Sequence, residues 1–186
     1  MRRFFVLLCV FTLCFISCKE DVLPKPKGYL SLKYPINSYE KLTLARPYTF
    51  QVSNNATVVD QPKLWMKIKY PKLKATIDIT YLSIQNNLKE LLVESEKLVY
   101  KHAVKAAQIT APRDFVNRDK KVFGSLYEIT GDAASQIQFH ATDSVANFIK
   151  GALSFYAKPN YDSIYPAANY LQNDVRRIME TLKWNE

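Results

Sequence analysis

The chain has 186 residues, 48% of them hydrophobic, and a formal net charge of +9, with three cysteines, two histidines and four glycines. Cys9, Cys14 and Cys18 all fall near the N-terminus, which excludes a disulfide-stapled core, and His102 and His140 alone cannot furnish a Cys/His zinc centre. Gly28, Gly124, Gly131 and Gly151 are scattered, so there is no phosphate-cradling loop or dinucleotide fingerprint, and no G-x-S-x-G elbow occurs.

The first element is a leader. Met1-Arg2-Arg3 is basic, and Phe4 to Ile16 is apolar apart from Thr12. That apolar core is roughly a dozen residues, against about 20 for a spanning helix. The pattern predicts a signal peptide over residues 1–17. The exit, Phe15-Ile16-Ser17-Cys18, resembles a bacterial lipobox, in which the cysteine thiol receives diacylglycerol and the chain is cut before it. Cys18 is thus expected to be the lipidated first residue of the mature chain; the alternative is an ordinary secreted protein cleaved nearby. Residues 18–27 follow as a tether, since the prolines of "KEDVLPKPK" favour a semi-rigid extended spacer. A basic protein outside the cytoplasm does not meet nucleic acid. Anionic headgroups, cell-wall polymers or an acidic protein are the candidate partners, and the alternative is a well-solvated basic surface.

From Gly28 the residues alternate as half-buried strands do: Tyr29–Tyr34, Tyr48–Ser53, Leu64–Tyr70 and Ala75–Leu82, the last two joined by the short "PKLK" connection of a hairpin. Apolar residues at helical spacing then predict a helix over Ile84–Ala107, with Ser83 as its N-cap. Strands follow at Val122–Ile129, Ser135–Thr142 and Ala152–Lys158. A second helix is predicted from Ser163 to Leu182, capped by Asp162, with Pro166 in its first turn and Ile164, Ala168, Leu171, Val175, Ile178 and Leu182 as its buried stripe. Runs of strands broken by two helices argue for an α+β fold over residues 28–186: one domain, a mainly antiparallel sheet with two principal helices packed on it.

Chemistry is sparse. Asp78, Glu128, Asp132, Asp143 and Asp162 lie on or beside strands, and a glycosidase needs only two carboxylates at a set separation. Strand carboxylates are usually solvated, so the expectation is no enzyme, no catalytic residue, no metal and no cofactor. His102 reads as a packed core residue, and His140 alternates with Phe139 onto the opposite sheet face. Lys97, Lys101 and Lys105 read as a wet helix face. Two stretches stand out as a possible interaction surface. One is the charged loop "RDFVNRDKK", with Arg113, Arg118, Lys120 and Lys121. The other is the corner "FYAKPNYDSI", with Tyr156, Asn160 and Tyr161, which a turn and a helix cap also explain.

Three stretches, "SCKEDVLPKPKGYLSLKYP", "ITYLSIQNNLKELLVESEKLVYKHAVKA" and "FYAKPNYDSIYPAANYLQNDVRRIMETLKW", resemble the gliding motility lipoprotein GldD family through nearly the whole mature chain. The resemblance implies a membrane-anchored lipoprotein of gliding Gram-negative bacteria, required for surface motility and associated with the type IX secretion system. Its partners would be other lipoproteins or components of that machinery. It supplies no catalytic residues, and only Cys18 transfers as a functional position. More loosely, the layout is similar to the PsbP-like α/β/α sandwich. Lys19 replaces the aspartate that retains lipoproteins at the inner membrane, so the outer membrane is expected. Glu20 and Asp21 resemble a surface-export signal, but the periplasmic side of the machinery favours the periplasmic face. Two function classes remain: a non-enzymatic assembly or stabilising component acting through protein contacts, or an envelope enzyme or binder of a cell-wall or lipid ligand. A flat aromatic and basic patch favours the first, and a pocket with converging carboxylates the second.

Overall fold

A computed structural model describes residues 33–156 and 160–185. The leader, Cys18 and the tether lie outside them, as does the side chain of His102. Of the strand expected at Tyr29–Tyr34 only Lys33 and Tyr34 are described, and neither is in a strand.

Alternation builds the sheet. Met66, Ile68 and Tyr70 are buried on β5 (Met66–Tyr70), while Lys67 and Lys69 between them reach the opposite face. A single 3-10 turn, Pro71–Leu73, with Lys74 left-handed at φ 50, returns the chain into β6 (Ala75–Ser83), as the hairpin reading expects. Eight antiparallel strands form the main sheet. In order they are β4 (Thr57–Asp60), β5, β6, β11 (Asn147–Phe155), β10 (Ser135–Thr142), β9 (Val122–Gly131) and β7 (Ala106–Ile109), with β8 (Arg113–Asn117) also pairing with β9. Gly151 on β11 lies opposite Phe139 on β10. A Cβ there would stand 2.2 Å from the ring, so the pairing requires glycine.

One face carries the principal core. Ile137, Phe139, Ile149, Leu153, Ile77 and Ile68 share it through the strand registers. Helix α2 (Tyr161–Thr181) covers it with Leu171, Val175, Ile178 and Met179. The N-terminal segment completes the cover: β1 (Tyr39–Lys41) pairs with β3 (Gln51–Ser53), β2 (Tyr48–Thr49) pairs with β12 (Lys183–Trp184), and Tyr48, Phe50 and Val52 join the core. The opposite face takes α1 (Leu88–Tyr100), whose Val99 packs with Tyr127, Ile129 and Ala133. The result is the expected α+β fold, with one helix on each side of an antiparallel sheet.

Several local expectations are corrected. Ser83 ends β6, paired with Asn147, and caps nothing; the first helix starts at Leu88 after a left-handed Asn86. It stops at Tyr100 because the chain enters a 3-10 turn, Lys101–Val104, and Ala106 joins the sheet edge opposite Gly131. Of the apolar residues expected along it, Leu91 and Val99 are buried and Leu98 is exposed. The second helix begins at Tyr161, two residues before its expected start, so Pro166 sits past the first turn. All six stripe residues are nevertheless buried. The "charged loop" of Arg113 to Lys121 is instead a strand and a tight turn, because Phe115 pairs with Gly124 and packs on the core.

Candidate functional site

Helix α2 organises everything functional that the described residues offer. Its middle carries Asp174, 2% exposed, at a position between Leu171 and Ile178 where an apolar residue would fit. Asn37 Nδ2 and the Tyr39 hydroxyl donate to Asp174 Oδ1 at 2.7 and 2.8 Å, which pins the segment leading from the tether onto the helix. Tyr34 stacks on Tyr170 at 4.6 Å, and the Tyr170 hydroxyl donates to the Pro35 carbonyl at 2.9 Å, extending the same clasp. The Tyr70 hydroxyl is buried beside Asp174 and interacts with its carboxylate. Burial pushes the Asp174 carboxyl above its ordinary 3.8, against the hydrogen bonds that pull it down, and pushes Tyr39 up to about 12.

The sign of that shift gives a prediction. Asp174 holds its proton more tightly folded than unfolded, so its contribution to stability falls as pH rises above 3.8 and through its folded value. Asp174→Asn keeps an acceptor for Asn37 and Tyr39 while removing the charge. It should therefore be at least as stable as the parent at pH 7 and lose less stability between pH 4 and pH 7. Asp174→Ala strands two half-buried donors and should cost about 1–3 kcal/mol. Urea unfolding of both variants at the two pH values checks this; an Asn variant as damaged as the Ala variant would refute it.

Toward the N-terminal end of α2, a cleft of about 220 Å³ opens between the helix and the β9–β10 edge. Glu128, Gln136, Tyr161, Tyr165, Asn169 and Gln172 line it. Gln172 Nε2 donates to Glu128 Oε1, and the Arg113 guanidinium stands 4.0 Å from the same oxygen. Gln136 is 3% exposed; its Nε2 donates to the Ala133 carbonyl at 2.8 Å, which leaves Oε1 buried and unpartnered. The Tyr161 and Tyr165 rings lie 5.4 Å apart. Asp132 reaches across from the β9–β10 loop to accept the Tyr161 backbone N–H at 2.9 Å. The cap of this helix is thus partly supplied from outside it, and Asp162 sits in the first turn, where its charge suits the helix dipole.

The other singled-out residues lie elsewhere. Arg118, Lys120 and Lys121 form the β8–β9 turn, held by Trp184 Nε1 donating to the Lys121 carbonyl at 2.9 Å. Lys120 Nζ points at the Glu180 carbonyl, 3.4 Å away, at the far end of the helix. The helix runs about 30 Å over its 21 residues, and the cleft-lining side chains stop at Gln172, about 12 Å short of that end. Tyr156 is exposed on the other sheet face, its hydroxyl accepting from Thr76 Oγ1 at 2.7 Å. The seven residues proposed as one surface therefore divide: Arg113, Asn160 and Tyr161 gather near the cleft, Arg118, Lys120 and Lys121 near the opposite helix end, and Tyr156 joins neither.

Most of the strand carboxylates are already engaged. Asp78 pairs with Lys67 at 3.0 Å. Burial raises the Asp143 carboxyl, but hydrogen bonds from Asn147, Val145 and Ala146 outweigh it and hold the group below its ordinary value. His140 faces away from Phe139 as expected, stacks on Phe148 at 5.8 Å, and is pushed toward its neutral form by burial. Among the described residues no group of three His, Cys, Asp or Glu is placed to hold a metal ion, and no helix is long and apolar enough to cross a membrane.

Curated proteins give no match to this chain. The family model described as gliding motility lipoprotein GldD does match, over residues 19–184. That span starts directly after Cys18 and takes in the clasp, the whole sheet, both helices and the cleft. The chain belongs to the gliding motility lipoprotein GldD family, and with it has a role in gliding motility.

Proposed function

We propose that this chain is a lipid-anchored, non-enzymatic assembly or stabilising component of the gliding apparatus and its type IX secretion system, attached to the periplasmic face of the outer membrane and acting through protein contacts. The observation that supports it most is the charge at the far end of α2. Lys41, Lys120 and Lys183 border a cleft of about 350 Å³ there, and among the described residues no carboxylate lines it. Arg118 and Lys121 extend the positive surface along the same turn. Lys67 and Lys150, by contrast, are paired with Asp78 and Glu94. A cationic rim of this kind accelerates encounter with an acidic partner and makes the contact salt-sensitive.

A photo-crosslinking side chain at Arg118 in living cells should trap one envelope protein, and the Lys120→Glu/Lys121→Glu pair should abolish that product and colony spreading while leaving the thermal melt unchanged. A charge-reversed chain that supports normal spreading would refute the reading. The amide-lined cleft near the N-terminal end of α2 favours a second capacity, a binder of an envelope ligand.

A further inference from the structure

We infer that the cleft beside the N-terminal half of α2 is a binding site for one neutral saccharide unit. Gln136 supplies the first reason. Its amide orientation is fixed by the Nε2 bond to the Ala133 carbonyl, so the buried oxygen is left as an acceptor with nothing to accept from. A buried acceptor in that state is costly, and because Gln136 borders the cleft, the hydroxyl of a ligand that settles deeply enough to reach it would relieve it.

The second reason is the kind of groups that gather around it. Asn169 and Gln172 project from successive turns of α2, and Gln172 is tied to Glu128 on β9. Amides offer donors and acceptors side by side in a plane, and a carboxylate offers two acceptors. Such planar pairs match the neighbouring hydroxyls of a sugar ring, each of which both donates and accepts. Tyr161 and Tyr165 add ring surface against which the C–H side of a pyranose can rest.

Charge and size narrow the class. Among the described residues no lysine lines the cleft and Glu128 does, which disfavours a phosphate or carboxylate ligand. Arg113 stands 4.0 Å from Glu128 and offsets its charge, which disfavours a cationic ligand. An apolar ligand would leave the amides unpaired. At about 220 Å³ the space holds a single ring rather than a chain, so a longer glycan would be gripped by one residue or its end. The inference does not depend on the protein-contact reading, whose residues lie at the other end of the helix.

Nitrogen-15 NMR of the full-length chain in detergent micelles tests it. The probes are N-acetylglucosamine, a disaccharide prepared from peptidoglycan, and a core oligosaccharide prepared from lipopolysaccharide. Saccharide-dependent shifts centred on Gln136, Asn169 and Gln172 are expected, and the tighter of the two envelope probes identifies the source. Asn169 and Tyr165 are exposed enough to replace without harming the fold. Asn169→Ala and Tyr165→Ala should each weaken binding about tenfold, the equivalent of one good contact, with unchanged melting. No response to any saccharide at high millimolar concentration overturns the inference. So do shifts centred away from the cleft, affinity unaffected by both variants, or a response in the cleft only to an added peptide.

Discussion

Leu171→Asp should leave the domain without a cooperative fold. Leu171 is fully buried at the centre of α2, where it belongs to the same cluster as Leu126, Ile137, Phe139 and Val175. Truncating a buried leucine costs about 2–5 kcal/mol through lost transfer energy and the cavity left behind. An aspartate adds the cost of a charge in an apolar site, because no basic side chain belongs to that cluster. Together these approach or exceed the roughly 5–15 kcal/mol by which ordinary domains are stable. Asp174, three residues away, does not show the site to be permissive: it survives burial because Asn37 and Tyr39 donate to it, and it would repel a second carboxylate. Val116→Asp is the matched control, on an exposed side chain of β8, and should change stability by about 0.5 kcal/mol or less. Near-UV circular dichroism and urea unfolding distinguish the two. A Leu171→Asp chain with an intact near-UV spectrum and an unshifted midpoint would mean that α2 does not carry the core.

What could be read beforehand follows from how much of each element touches the core. The β5–β6 hairpin and α2 were legible because every inward position is apolar: Met66, Ile68 and Tyr70 on one, the six-residue stripe on the other. β7 and β8 were not. They are short edge strands on which few side chains face inward, so "RDFVN" shows four polar or exposed residues and a single core contact, Phe115. The small pairs β1–β3 and β2–β12 were only partly visible, because the strands are two or three residues long and β12 lies far from β2 in sequence. The first helix was drawn too long because Ala106 and Val99 fit one helical row, although the strand pairing of Ala106 with Gly131 wins. At the cleft, Tyr161 was noted as an aromatic at a corner and Glu128 as a strand carboxylate, and nothing in their spacing joins them. The amides of Gln136, Asn169 and Gln172 were not singled out. A signal was nonetheless present: Tyr161, Tyr165, Asn169 and Gln172 recur at helical spacing beside the apolar stripe, a row too uncharged for an ordinary wet face. Asp174 carried the opposite signal, a charge set inside the apolar row, and its meaning required the partners from the N-terminal segment.

Cys18→Ser should empty the outer-membrane fraction of this chain. The family is one of lipoproteins, and on the proposed anchoring the attachment is made by acyl chains on the lipobox cysteine. Each buried methylene contributes about 0.8 kcal/mol, and a single acyl chain gives only marginal, reversible binding, so stable anchoring depends on the diacylglycerol carried by the thioether. Serine removes the thiolate that forms this bond. Two fates then remain for the variant: a soluble chain cut elsewhere, or an uncut precursor held at the inner membrane by the Phe4–Ile16 apolar run. Neither reaches the outer membrane. Density-gradient separation of the membranes, with intact-mass measurement of the purified chain, reads both location and the missing lipid. The parent should carry the diacylglycerol mass and begin at Cys18, whereas the variant should lack that mass and begin elsewhere. A Ser variant that keeps its outer-membrane position would move the attachment from Cys18 to the folded domain itself. Gliding provides the functional arm: if the basic end of α2 must meet a partner at the membrane, cells with only the Ser variant should fail to spread, while their folded domain melts at the same temperature as the parent.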